Sequence, residues 1–239
     1  MQNKKSLLQR MLVIYITFFV ILAAGLAHSF LPNFSRGYNE GATMGGDIVR
    51  NWASGAPRQI FTLGEVSVTS QDTFVIKGLD SLSEVKITPT IQHINLTVDQ
   101  PADSNVGAMS LAFSAIGGSA WIYLLTMLGS VAFLAIIVLM FIIIHSIRRS
   151  IKEERTLDSR NVWYIRTIGF LTIFTELSHA LIAWCMATRA AELLAGSNLI
   201  VDTTFSISYY TIIMGILVIF TAEVFAIGQN LSEEQKLTI

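Results

Sequence analysis

Charged residues are scarce in this chain, and that scarcity excludes several classes of protein. Asp, Glu, Lys and Arg together make up 14% of the 239 residues, whereas a soluble domain carries about 25%. The formal net charge of −1 gives no indication of nucleic-acid binding, and we expect no direct contact with nucleic acid. Cysteine is nearly absent too. Because Cys185 is the single cysteine, an intrachain disulfide is excluded, and we interpret this residue as a small apolar side chain within a helix.

Catalytic motifs are also missing. The sequence contains no nucleophile elbow, phosphate-binding loop, cysteine cluster or His-Glu-x-x-His segment, which are patterns that common enzyme classes need for their chemistry. We therefore expect a protein that is not an enzyme and that holds no cofactor and no metal ion.

Hydrophobic residues, by contrast, make up 52% of the chain, and they are concentrated in four blocks. A membrane-spanning helix needs about 20 predominantly apolar residues, and backbone polar groups within lipid must be paired inside the helix itself. The second block, Trp121 to Ile144, contains no charged residue. The pattern predicts an all-α membrane protein with four transmembrane helices and a small extracytoplasmic β-rich insertion between the first and second.

The distribution of Lys and Arg predicts the orientation, because short cytoplasmic loops are enriched in these residues. Basic residues precede block one and fill the connection between blocks two and three, whereas the connection between blocks three and four contains only Arg189. Both ends are thus expected in the cytoplasm. The predicted segments are a cytoplasmic start (1–10), helix one (11–31), an outer β-rich segment (32–120), helix two (121–144), a basic cytoplasmic loop (145–161), helix three (162–187), a short outer loop (188–204), helix four (205–227) and a cytoplasmic tail (228–239).

Block one has a second interpretation. A basic start, an apolar run and the small residues around Gly25 also resemble a secretory signal with a cleavage site. The run is long for a signal, so we expect it to be retained; cleavage would leave three helices and the same topology for the rest.

Alternating apolar residues in the outer segment predict a small β meander from Phe61 onward, preceded by a short helix around Gly46 to Ala53. The alternation slips at Gln92-His93, which indicates a bulge or turn. Turn residues are expected at Gly64, Gly78, Asp80 and Asp99-Gln100-Pro101.

Block three carries polar residues that are costly inside a membrane. Glu176 and His179 lie near its middle, and their spacing of three places them on one helical face. Small residues continue this face, which predicts a small and polar stripe that packs against other helices and not lipid: Gly169, Thr172, Ala183 and Ala187. Three interpretations stay open: a buried hydrogen-bonded pair between helices, a site for proton- or ion-coupled transport, and a metal or hydrolytic site. Glu223 is a third candidate for intramembrane polar structure, with a carboxylate that reaches the interface or caps a basic loop residue.

The end of the chain, with its Ala222-Glu223-Val224-Phe225 core and its terminal Glu233-Glu234-Gln-Lys-Leu-Thr-Ile, resembles the bacterial membrane proteins grouped as domain-of-unknown-function 2975. The stretch Ile165-Arg166-Thr167-Ile168-Gly169 is similar to that family's entry into its third helix. The resemblance implies four helices in a bacterial inner membrane, no assigned activity, and a gene often placed beside a small helix-turn-helix regulator.

Two functional hypotheses from different classes follow. The first is a non-enzymatic regulatory or interaction partner of a small cytoplasmic regulator or of another membrane protein; the second is a small transporter that uses Glu176 and His179. An intramembrane enzyme and a homo-oligomer remain open alternatives. The expected partner-docking residues belong to the tail and the basic loop: Glu233, Glu234, Lys236, Leu237, Thr238, Arg148, Arg149 and Lys152.

Overall fold

The computed structural model describes residues 2–25, 27–28, 31–77, 84–103, 105–153 and 159–237. Six helices and five strands follow one another within them. The helices are α1 (Gln2–Gly25), α2 (Leu31–Ala53), α3 (Ala108–Phe113), α4 (Ala120–Glu153), α5 (Ser159–Leu193) and α6 (Tyr209–Leu237). The strands are β1 (Arg58–Ser70), β2 (Phe74–Lys77), β3 (Glu84–Ile87), β4 (Thr90–Pro101) and β5 (Leu199–Val201).

Three of these helices are long and apolar enough to cross a membrane: α4 over Ala120–Ser150, α5 over Ser159–Leu193 and α6 over Tyr209–Gln229. The apolar part of α1, Leu12–Gly25, is shorter. The predicted blocks two, three and four therefore correspond to these three candidate membrane helices. Each helix runs beyond its predicted bounds at one end or both, because helical hydrogen bonding does not stop where the apolar run stops.

The chain divides into two compact units. The first comprises Met1–Glu40, Gly129–Glu176 and Ser208–Ile239. Within it, Phe19 of α1 and Phe141 of α4 meet edge to face, with their ring centroids 5.8 Å apart. The guanidinium of Arg148 lies 5.7 Å from the ring centroid of Tyr15. Aromatic and cation–π contacts of this kind pack α1 along α4.

The second unit comprises Gly41–Leu128 and Leu177–Ile207. Its centre is an antiparallel sheet of order β4-β1-β5, and β2 pairs with β3 in a separate hairpin. Alternate residues of β1 are buried against the last turns of α5, because a strand presents every second side chain to the same face. The core consists of Phe61, Leu63, Val66, Val68, Ile122, Met186, Ala187, Ala190 and Val201.

The structure confirms some of the β predictions and corrects others. The phase slip at Gln92-His93 is a bulge: the β1–β4 register shifts between Val66 and Val68, and His93 has a φ of 57°. The predicted turn at Gly64 is wrong, since β1 continues through a second bulge there. The predicted turn at Asp99-Gln100-Pro101 is also wrong, because β4 runs to Pro101 and pairs with Arg58. The turn predicted at Gly78 and Asp80 lies outside the described residues.

Two predicted non-membrane segments are more helical than expected. The short helix expected around Gly46–Ala53 is the end of α2, which begins at Leu31. Much of the predicted basic loop belongs to helices, since α4 continues to Glu153 and α5 begins at Ser159. Residues 154–158 of that loop lie outside the described residues.

Candidate functional site

The first half of α5 and the start of α6 form a tightly packed antiparallel pair. Gly169 and Gly215 lie where the two backbones approach closely: a Cβ on Gly169 would lie 2.5 Å from Cγ1 of Ile219 and 2.8 Å from the carbonyl oxygen of Gly215. Small residues allow helices to pack this closely within a membrane. The predicted small and polar face of block three is therefore a helix-packing face at Gly169.

One end of this pair is fastened by two parallel hydrogen bonds between charged groups. Arg166 donates from Nε to Oε1 of Glu223 at 2.7 Å and from a terminal nitrogen to Oε2 at 2.8 Å. This geometry matches the fork of the guanidinium to both carboxylate oxygens, which makes it stronger and more directional than a single contact. Both side chains stay partly exposed in the protein, at 38% and 50%. The pair therefore ties α5 to α6 at a defined relative position along their axes.

The other end of the pair is fastened by Glu176. Its carboxylate accepts a hydrogen bond of 2.7 Å from the backbone N–H of Ser208, the residue before α6 begins. The hydroxyl of Ser208 in turn accepts from the N–H of Thr211 at 3.3 Å, as an N-capping serine does. A carboxylate at this position also lies favourably in the field of the helix dipole. Glu176 thus acts as a second cap for α6.

His179 has a different partner, and both residues belong to the second unit. Its Nε2 lies 3.3 Å from Oε2 of Glu65, which lies in the β1 bulge and has a φ of 59°. The neighbouring N–H of Gly64 points to Sδ of Met186 at 3.3 Å. A left-handed conformation is unfavourable for a residue with a side chain, so the backbone of β1 is locally strained at Glu65. At this bulge the strand contacts the second half of α5.

The partners of Glu176 and His179 differ from the pair that the sequence suggested, whereas Glu223 contacts a basic residue near the start of α5. Glu176 and His179 do not form a pair with each other; their partners are Ser208 and Glu65. None of the three is buried within the protein: the side chains of His179 and Glu223 are 67% and 50% exposed, and Glu176 is half-buried. Glu176 and His179 share one face of α5, but they contact different elements: Glu176 contacts the residue before α6, and His179 contacts β1.

The expected docking residues lie in two places. Arg148, Arg149 and Lys152 belong to the last turns of α4, where Arg148 already stacks on Tyr15. Glu233, Glu234, Lys236 and Leu237 lie within α6, which the structure describes to Leu237, and Thr238 lies outside the described residues. The tail is thus a continuation of the fourth predicted span and not a separate segment.

The connection between β5 and α6 is itself structured. The Asp202 carboxylate accepts hydrogen bonds from the backbone N–H of Thr204 at 3.0 Å and from its hydroxyl at 2.7 Å. These two bonds hold the pKa of Asp202 below its usual value, because they stabilise the charged form. The connection therefore contains a defined turn at Asp202–Thr204.

No group of three His, Cys, Asp or Glu side chains converges on a possible metal position within the described part of the chain. Sequence reasoning missed Glu65, Ser208 and the role of Arg166. For Glu65 a signal existed, since the buried phase of β1 changes between Leu63 and Val66. For Ser208 the signal was its residue type, because serine is a preferred capping residue and Ser208 stands directly before the long apolar run of α6.

The model for the family described as protein of unknown function (DUF2975) matches residues 96–239, which is more than half of the chain. The chain belongs to the DUF2975 family. The match confirms the resemblance carried by the tail and by the start of α5. No curated protein and no solved structure matches the chain.

The matched DUF2975 region begins within β4 and contains α4, α5 and α6. It therefore contains the whole helix pair with Arg166, Glu176, Ser208 and Glu223. Glu65, the partner of His179, lies in β1 and is outside the matched region. The α5–α6 pair is thus the part of the candidate site that belongs to the family region.

Proposed function

We propose that this DUF2975 protein is a non-enzymatic interaction partner in a bacterial inner membrane, with four spans and both ends in the cytoplasm, and that α6 presents its last turns to a small cytoplasmic regulator. The observation that carries the proposal is the continuity of α6. Its apolar part ends at Gln229, but the helix continues to Leu237. A change in the position of α6 within the membrane would therefore move the polar segment with it.

Charge distribution supports the orientation. Lys4, Lys5 and Arg10 precede the apolar part of α1, and the α4–α5 connection is rich in Lys and Arg, as cytoplasmic segments are. An apolar stretch too short to fill the bilayer is accommodated by local thinning or by flanking residues that extend to the interface. The proposed first span is therefore α1, although its apolar part is the shortest of the four.

The length of α5 also supports this arrangement. A helix of 35 residues is about 52 Å long, whereas the hydrocarbon core is about 30 Å thick. In the second half of α5, Met186, Ala187 and Ala190 pack on the sheet. Because an open sheet edge does not occur in hydrocarbon, we place this half of the helix outside the hydrocarbon core. The proposed span is therefore the first half of α5, with Glu176 near its outer end.

In the proposed arrangement, the Arg166–Glu223 pair holds α6 in position against α5. Glu223 lies in α6 on the side of Gly215 that leads to the tail, and its two bonds to Arg166 fix the position of α6 against α5. Breaking the pair would free that end of α6 to slide or rotate. The geometry supports an interaction protein better than a transporter, because Glu176 and His179 are each engaged with a structural partner.

The test is a crosslinked pull-down from native membranes with matched baits. Full-length protein is compared with a variant that lacks residues 229–239 and with the double substitution Glu233→Ala/Glu234→Ala. Gln235→Ala serves as the control, because it alters the same helical turn without removing charge. We expect one soluble regulator to be recovered with the full-length and control baits and lost with the other two.

Equal membrane levels of all four baits are required, so that loss of the partner is not loss of insertion. Recovery of the same regulator by the truncated bait would contradict the proposal. Recovery of no specific cytoplasmic protein by any bait would also contradict it.

A further inference from the structure

Helix α2 has two sharply different faces. With 3.6 residues per turn, its largest apolar side chains fall on one side of the helix, whereas its four charged residues, Arg36, Glu40, Asp47 and Arg50, fall on the opposite side. The apolar side consists of Leu31, Phe34, Tyr38, Val49 and Trp52. Four charges in 23 residues are too many for a membrane span, so α2 belongs to another class of helix.

The side chains on the apolar face of α2 are largely exposed. Phe34 and Tyr38 are 60% and 68% exposed, and their rings stack on each other with centroids 6.5 Å apart. A Cβ added to Gly41 or Gly45, which lie on the same face, would meet no atom within 4 Å. A surface helix of a globular protein normally buries its whole apolar stripe in a core, whereas α2, among its described side chains, buries only Ile48, which is 1% exposed.

The composition of α2 requires support from outside. Gly37, Gly41, Gly45 and Gly46 lie inside the helix, and each glycine is less favourable than alanine by about 0.8–1 kcal/mol in a helix interior. Such a sequence does not hold a helix in water without burial of its apolar face. The occupant of that face must therefore be extended and apolar along several turns.

We propose that α2 lies in the plane of the membrane interface, with lipid acyl chains against its apolar face and its charged face toward water. Tyr38 near its start and Trp52 at its end are of the two residue types that are enriched at the level of the lipid headgroups. A strong separation of faces with low overall hydrophobicity is the signature of an interfacial helix. This placement of α2 rests on the proposed function, in which α1 crosses the membrane: its apolar stretch ends at Gly25, shortly before α2 begins at Leu31.

The far end of α2 belongs to the second unit, which begins at Gly41. Ile48 is 1% exposed, and the indole N–H of Trp52 donates to the carbonyl oxygen of Val106 at 3.2 Å. An interfacial α2 would thus anchor the sheet-containing unit at the lipid surface. The inference is independent of the tail and holds whichever partner the tail binds.

Spin labelling tests the proposal on the full chain in liposomes of phosphatidylcholine and phosphatidylglycerol. In a Cys185→Ala background, single cysteines replace Phe34, Tyr38 or Val49 on the apolar face, and Arg36, Glu40 or Arg50 on the charged face. Collisions with oxygen, which concentrates in hydrocarbon, are compared with collisions with a water-soluble nickel chelate. A label at Phe133 in α4 and one at Asn95 in β4 provide the lipid and water references.

We expect the oxygen-to-nickel ratio to be several-fold higher at the three apolar positions than at the three charged ones. High nickel accessibility at all six positions would place α2 in water and overturn the proposal. Low accessibility to both reagents on the apolar face would mean that a protein surface covers it, and would overturn the proposal equally.

A second measurement needs no substitution. Hydroxyl-radical footprinting of the unmodified protein in the same liposomes should leave Tyr38 and Trp52 protected, whereas Met109, which is 72% exposed, should be oxidised. Oxidation of Tyr38 at a rate comparable with that of Met109 would contradict an interfacial position, even if a labelled variant had failed to fold.

Discussion

At the scale of single residues, polar side chains within apolar helices can be recognised from the sequence, but their partners cannot. Glu176, His179 and Glu223 could be selected from the sequence because an ionisable group in an apolar helix is costly. Their partners could not, since Arg166 and Glu223 are 57 positions apart and Glu176 and Ser208 are 32 apart. Helical periodicity relates residues within one helix only; which neighbouring element each one meets depends on tertiary packing.

The Arg166–Glu223 pair yields a prediction at this scale. Arg166→Gln and Glu223→Gln should each destabilise the α5–α6 pair, because each leaves one charge without its partner. The double substitution should lose less than the sum of the two single losses, since it leaves no orphaned charge. Unfolding of the purified protein in mixed micelles, followed by circular dichroism against increasing SDS, measures all four proteins.

Glu192→Gln, the same kind of change later in α5, is the matched control and should leave the unfolding midpoint unchanged. Strictly additive losses in the cycle would mean that the two groups do not interact in the folded protein.

At the scale of elements, close helix packing and β-bulges determine the local structure more than secondary-structure propensity does. The sequence predicted that block three packs through small residues, and Gly169 does so; the partner Gly215 needed the structure. Similarly, the slip in β4 was predicted because a break in alternation moves every following side chain to the other face. The slip in β1 was misinterpreted, because Gly64 is equally compatible with a turn.

The contact of Gly169 with α6 gives a prediction with a magnitude. Gly169→Ala places a methyl group 2.8 Å from the backbone oxygen of Gly215, and overpacking of this kind typically costs about 1–3 kcal/mol. The loss should be measurable in the same micellar unfolding assay. Gly129→Ala in α4 is the control: its added Cβ meets nothing within 4 Å, and alanine favours the helix. Equal stability of the two variants would contradict the close approach of α5 and α6.

At the scale of the whole molecule, composition predicted the membrane class and the approximate positions of three spans. The count of four rests on α1, whose apolar part is the shortest. Sequence patterns also foresaw a β-rich segment, but its fold could not be inferred from residues 32–120 alone. The core of that segment includes Met186, Ala187 and Ala190 from α5 and Val201 from β5, so its stability depends on residues that follow it far along the chain.

A four-span arrangement places the two ends of the chain on the same side of the membrane, opposite the sheet, and this can be measured directly. In the Cys185→Ala background, Ser6→Cys before the apolar part of α1 and Gln235→Cys in the tail should resist a membrane-impermeant maleimide in spheroplasts and react after permeabilisation. Asn95→Cys in β4 should react before permeabilisation. If the cysteine at position 6 reacted from outside while that at position 235 did not, α1 would not cross. If position 6 were missing from the mature protein while Asn95→Cys still reacted from outside, block one would be a cleaved signal and the remaining three spans would keep the orientation that their basic connection predicts.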